Sequence, residues 1–238
     1  MPDNSRVRVD GFNRSVSQKV TWTAKKAAAE KETITVRERG GRNPQYTANR
    51  EVIYGKEYLQ KFRGVTRSEK GDNRVGEACR AAIKANNGKE DETIHILYSQ
   101  SGKPAFKPIQ LGKLGGSFEA PWKKEQGKRQ KNSLREQEKK YNKYILVHNH
   151  PNSAAFSFTD FVALNYNPEI KTMIAAGHDG TVYILSVGKG KRLILPDKNS
   201  MEYILTQNEW DRHYRDLNGD LGAITKFCEK LGWDLNVR

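Results

Sequence analysis

The chain has 238 residues, of which 36% are hydrophobic and 29% charged, enough for one domain of ordinary size with a modest core and polar flanking elements. Lys and Arg number 42 against 28 Asp and Glu, and the net charge of +14 predicts attraction to nucleic acid or to an acidic protein partner. No stretch approaches the length of a membrane span, and Met1 to Arg6 lacks the apolar run of a signal peptide. With only Cys79 and Cys228 available, both read as small buried hydrophobes, the expectation is a soluble protein of a reducing compartment with no membrane partner.

Residues 1–50 show weak periodicity and a basic series, Arg6, Arg8, Arg14, Lys19, Lys25, Lys26 and Lys31, which predicts a poorly ordered arm with a short helix at Thr23 to Lys31. Glu51 to Phe62 and Asn73 to Asn86 have helical spacing, through Val52, Tyr58 and Leu59 in the first and Val75, Cys79, Ala82 and Ile83 in the second. Glu92 to Tyr98 is an apolar, β-prone run closed by the turn-like Ser99 to Gly102. A short strand follows over 105–111, and Pro108 marks it as a sheet edge. From Pro121 to Tyr144 the pattern is a basic helix, with Leu134, Gln137 and Tyr141 on its packed side.

Tyr144 to His150 reads as a buried strand that Pro151 stops, after which the polar Asn152 to Ala155 lets the chain turn before Ser157 to Asp160 opens a helix. Ile170 to Ser186 reads as a hairpin about a two-residue type I′ turn at Asp179-Gly180. His178, beside that turn, is expected in solvent. Two amphipathic helices, Met201 to Leu217 and Leu221 to Leu231, end the chain, separated by Asn218-Gly219-Asp220. Trp210, Tyr214, Phe227 and Trp233 are expected to pack rather than to stack on bases. Strands and helices in this order predict an α/β fold, a mixed sheet flanked by helices, with a basic N-terminal arm and a helical C-terminal tail.

The chemistry concentrates at His148-Asn149-His150-Pro151. Side chains two apart on a strand share a face, so the two imidazoles aim at one point, and Asp160 can return to them from the following helix as a third ligand. Three protein ligands without thiolate fit a catalytic zinc ion, whereas a structural site closes with four. Ser157 with Asp160 three residues on also fits a capping box.

An upstream glutamate, His-x-His-Pro and Ser-x-x-Asp, in this order, resemble the signature of the JAB/MPN (JAMM) zinc metallopeptidases. Six residues, Pro151 to Phe156, separate His150 from Ser157, one fewer than is usual in eukaryotic members. The His-Asn-His-Pro start looks more like the bacterial and phage branch, found in phage head-morphogenesis proteins and toxin modules, where a hairpin similar to 170–186 follows the motif. The resemblance implies that His148, His150 and Asp160 bind zinc, that Ser157 helps hold the oxyanion, and that a glutamate at the start of an upstream strand is the general acid/base. Glu92 fills that place, with Glu90 and Glu119 in reserve.

The implied activity is zinc-dependent hydrolysis of a peptide or isopeptide bond in a protein or peptide substrate, in a bacterial cytoplasm or associated with a virion. The implied organisation is an arm at 1–50, a helical segment at 51–87, a JAB/MPN-like domain at 88–195 and a helical tail at 196–238. Two rivals follow from the charge and the letters of the motif. One is a non-catalytic phage or mobile-element protein that binds nucleic acid on a JAB-like fold, and the other is a metal-dependent nuclease suggested by the string His-Asn-His.

Overall fold

The computed structural model describes residues 44–111, 121, 143–217 and 219–238. Among these the elements run α1 (Arg50–Tyr54), a 3-10 helix (Tyr58–Phe62), α2 (Glu69–Ala85), β1 (Glu92–Tyr98), β2 (Ile109–Leu111), β3 (Tyr144–His150), α3 (Phe158–Tyr166), β4 (Ile170–Gly177), β5 (Val182–Ser186), α4 (Met201–Asp216), α5 (Asp220–Leu231) and β6 (Asp234–Val237). The strands make one mixed sheet in the order β2-β1-β3-β4-β5-β6. The fold is α/β, with helices on both faces of that sheet.

β3 lies inside the sheet, and all seven of its residues are buried. Tyr144 and Leu146 face a cluster built from Phe156, Phe161, Trp210, Phe227 and Trp233. Ile145 and Val147 face Ile53, Tyr58, Phe62, Val75 and Cys79. A strand covered on both sides has no polar face, which is why its first four residues are apolar without alternation.

β1 pairs with β3 antiparallel, Ile94 opposite His148. β4 pairs with β3 parallel, His148 opposite Ala175 and His150 opposite Gly177. A parallel neighbour requires a crossover, and α3 supplies it. The chain therefore leaves the sheet just after His150 and returns across the same face, which carries the first turn of α3 back over the end of β3. Phe161 locks α3 in place: its ring sits 4.9 Å from Phe227, 5.4 Å from Trp233 and 5.6 Å from Trp210. Burying one such ring contributes about 1.5–3 kcal/mol.

Several elements differ from the sequence expectation. The helix expected over Glu51 to Phe62 divides at Gly55, because the Arg80 guanidinium takes the carbonyls that end α1, with Nε 2.8 Å from Ile53 O and a terminal nitrogen 3.0 Å from Gly55 O. Of the strand expected over 105–111 only Ile109–Leu111 forms a ladder with β1, and Ala105 meets it separately, its amide donating to Ile96 O at 2.8 Å. The hairpin has no type I′ turn. Gly180 is left-handed (φ +97°) and Asp179 is not; the Asp179 carboxylate instead accepts the Thr181 amide at 2.8 Å. The result is a three-residue loop with a glycine bulge.

The C-terminal segment is helical over α4 and α5 but ends in β6, which pairs with β5. Trp210, Phe227 and Trp233 are buried in the same core as β3, and Tyr214 is exposed. Cys79 and Cys228 are buried free thiols. The helix expected at Thr23 to Lys31, nearly all of the basic helix between Pro121 and Tyr144, and Glu119 lie outside the described residues. Among the described residues no helix is long and apolar enough to cross a membrane.

Candidate metal centre

The last residues of β3 and the first turn of α3 bring three ligand groups together. The Nε2 atoms of His148 and His150 stand 2.9 Å apart. Asp160 gives one carboxylate oxygen to each ring, Oδ1 at 3.4 Å from His148 Nε2 and Oδ2 at 3.5 Å from His150 Nε2. All three ligand atoms lie within 4.8 Å of one another, and both histidines are buried. Phe156 packs beside both imidazoles and shields them on the core side.

Hydrogen bonds from neighbouring groups set the orientation of His150 and Asp160, whereas the buried His148 Nδ1 has no hydrogen-bond partner among the described residues. His150 Nδ1 is 2.7 Å from Ala154 O. A carbonyl only accepts, so Nδ1 carries a proton and Nε2 is left as the atom that faces the centre and could ligate once it is deprotonated, the arrangement by which a backbone carbonyl fixes a ligating histidine. Asp160 stands at the third position of α3 in a complete capping box. Its Oδ2 accepts the Ser157 amide at 2.8 Å and the Ser157 hydroxyl at 2.7 Å, and its own amide donates to Ser157 Oγ at 3.3 Å. The cap and the ligand cluster thus use the same carboxylate.

Burial works against charge on all three groups, and their mutual attraction decides where it resides. Burial resists the Asp160 carboxylate, yet His148, His150 and the Ser157 hydrogen bond hold its carboxyl well below the usual range. His148 is lowered, by burial first and by repulsion from a charged His150. His150 is raised to about 9: burial opposes the proton, but the hydrogen bond and charge of Asp160, with Glu92 behind them, more than offset it. Two imidazole nitrogens and a carboxylate directed at one point suit a cation among them, and in the metal-free cluster Asp160 favours a proton on His150 in that role. The donor set, two nitrogens and an oxygen without thiolate, fits zinc.

Glu92 begins β1. Two residues before Ile94 on an antiparallel strand, it extends the Ile94–His148 register toward His150, at the same end and on the same face of the sheet. Burial raises its carboxyl to about 7, with the charge of His150 lowering it and that of Asp160 raising it, so Glu92 is electrostatically part of the cluster. Glu90 precedes β1. Ser157 caps α3, and its single hydroxyl proton is directed at Asp160.

The remaining histidines of the sheet stay apart from the ligands. His95 faces the opposite side, where it lines a groove of about 710 Å³ with Arg74, Glu77 and Leu97. His178 is buried rather than in solvent as its turn position suggested. The three-residue loop folds it inward, where Nδ1 bonds Tyr46 O at 2.7 Å and Nε2 lies 3.3 Å from the Asn149 amide nitrogen.

In the sequence Asn149 stands only as the spacer between two histidines. A residue between two histidines on a strand must point to the opposite, packed face, and an amide there signals a buried polar network. Asn149 is fully buried and bonds Asn86, Thr93, Asp91 and His178. No family model, curated protein or solved structure was found to match the chain.

Proposed function

We propose that this protein is a zinc-dependent peptidase of the JAB/MPN (JAMM) type, which hydrolyses a peptide or isopeptide bond. The observation that supports this reading is the convergence of His148, His150 and Asp160 at the end of β3, with the Glu92 end of β1 alongside. Three protein donors is the number that catalytic zinc sites use. When bound, a zinc ion polarises a carbonyl and lowers the pKa of water from about 15.7 toward about 7.

The chain's own residues then have distinct tasks. Glu92 takes a proton from the water that attacks the carbonyl carbon, and returns it to the amine nitrogen as the C–N bond breaks. Burial, which raises the Glu92 carboxyl, favours its holding the proton between the two halves of the transfer, a contribution of roughly a hundredfold to ten-thousandfold. Ser157 donates to the oxyanion once its hydroxyl turns from Asp160. His150 is held for ligation by Ala154 O, and Asp160 offsets the positive charge of the centre.

The test is metal content and turnover in one set of proteins. The native protein should bind one zinc and cleave members of an internally quenched peptide library. His148→Ala should lose both properties, and Glu92→Gln should keep zinc while turnover falls to a residual rate, by roughly a hundredfold to ten-thousandfold. A native protein without zinc, or one whose turnover survives Glu92→Gln undiminished, would remove this reading.

The net charge of +14 favours a second reading, a non-catalytic nucleic-acid-binding protein. Zinc-loaded protein that cuts no peptide yet binds duplex DNA with a steep salt dependence would support it.

A further inference from the structure

The ladder between β1 and β3 stops at Ile94 opposite His148, two residues short of the start of β1. Beyond that point the Asn149 side chain replaces the backbone. Its Oδ1 accepts the Thr93 amide at 2.9 Å, and its Nδ2 donates to Asp91 O at 3.1 Å. Those two backbone groups flank Glu92 on either side. One side-chain amide therefore grips the main chain immediately before and after the glutamate, as a neighbouring peptide would in a continued ladder.

The same amide is tied from behind. Oδ1 also accepts Asn86 Nδ2 at 2.8 Å, and Nδ2 also faces His178 Nε2 at 3.3 Å. Two acceptances and two donations use every hydrogen-bonding position that an asparagine amide has. The donor at His178 is assigned by chemistry: its Nδ1 lies 2.7 Å from a carbonyl, Tyr46 O, so Nδ1 carries the proton and Nε2 must accept. Asn86 is itself bound to Thr93 Oγ1 at 2.8 Å, and Gln110 of β2 closes the ring with Nε2 at 2.9 Å from Asn86 Oδ1. Asn149, Asn86 and His178 are all buried, where an unpaired amide would cost about 1–3 kcal/mol. The amide has a single orientation in which all of these contacts hold.

We propose that Asn149 is a positioning residue for Glu92, holding the start of β1 at a set distance from His150 while the two histidines on either side of it serve the metal. The strand alternation makes this division of labour possible, because His148 and His150 point to the α3 side and Asn149 points away from it. The inference rests on the reading of Glu92 as the proton-transferring group. The clamp itself does not depend on that reading.

The test uses Asn149→Thr, which is branched, suits a strand and is of similar size, but cannot span both backbone groups. Crystal structures of zinc-loaded native and variant proteins should place the Glu92 carboxylate differently by about 1 Å or more. Turnover of the quenched peptide library should fall by about a hundredfold, in kcat and not KM, with zinc affinity unchanged. In a Glu92→Gln background the same substitution should cause no further loss.

A Glu92 carboxylate that stays in its native position, or a loss of turnover that persists in the Glu92→Gln background, overturns the proposal. If the native protein cuts no peptide but the carboxylate still moves in the variant, the clamp stands and the peptidase reading falls. Hydrogen exchange in the native protein gives an independent check should the variant fail to fold. The Thr93 amide should exchange as slowly as that of Leu97, which faces β3 within the ladder, and exchange at the rate of an exposed strand end overturns the proposal without any variant.

Discussion

Ser157 and Asp160 bond to each other in both directions, and the carboxylate oxygen that closes their cap is the one 3.5 Å from His150 Nε2. A helix cap and a metal ligand are normally separate devices. Here the amide and hydroxyl of Ser157 preset the rotamer of a candidate ligand before any ion arrives.

Ser157→Ala should therefore act on metal affinity as well as on the fold. Losing the cap should destabilise the protein by about 1 kcal/mol, read from urea unfolding of the metal-free form. Losing the group that orients Asp160 should weaken zinc about 10–100-fold, read by competition with a chelating dye. Unchanged zinc affinity would show that Asp160 needs no help from its cap partner.

Asp160→Ala should abolish zinc binding and lower the stability of the metal-free protein, since the two imidazoles then face each other with no counter-charge. Elemental analysis after dialysis checks the first expectation and thermal unfolding the second. Native zinc content in this variant would count against the three-residue ligand set.

Zinc binding should strengthen as pH rises toward 9, because the proton on His150, whose pKa is raised from 6.5 to about 9, must leave before the ion enters. Calorimetry in two buffers of different ionisation enthalpy should find close to one proton released per zinc at pH 7.5. The sign for stability is opposite. A folded-state pKa above the unfolded one gives stabilisation that is complete below pH 6.5 and lost as pH climbs through about 9. The thermal midpoint of the metal-free protein should thus fall between pH 7 and 9, while the increase produced by added zinc grows. A metal-free midpoint that rises over this range would show that His150 holds no extra proton.

Phe161→Ala should cost about 3–5 kcal/mol by opening a cavity among Trp210, Phe227 and Trp233. Because this ring anchors α3, the variant should also bind zinc more weakly, although no ligand has changed. Chemical denaturation paired with a zinc titration measures both effects, and an unaltered zinc affinity would mean that the cap alone positions Asp160.

What the amino-acid sequence determined unaided was local. The apolar run Tyr144 to Val147 specified a doubly buried strand, period-two alternation put His148 and His150 on one face, and Ser157 with Asp160 specified the start of α3. These features come from neighbours a few residues apart, whose physics is written in spacing and capping chemistry. Only the tertiary structure decided the rest. The antiparallel register of β1 carries Glu92 to the cluster, the crossover after His150 turns Asp160 back onto the histidines, the three-residue hairpin loop buries His178, and β6 joins the sheet. The clamp that Asn149 places around Glu92 joins residues 56 and 58 positions apart. Contacts across such separations form only when a shared core holds both strands, so no local pattern in either strand could announce them.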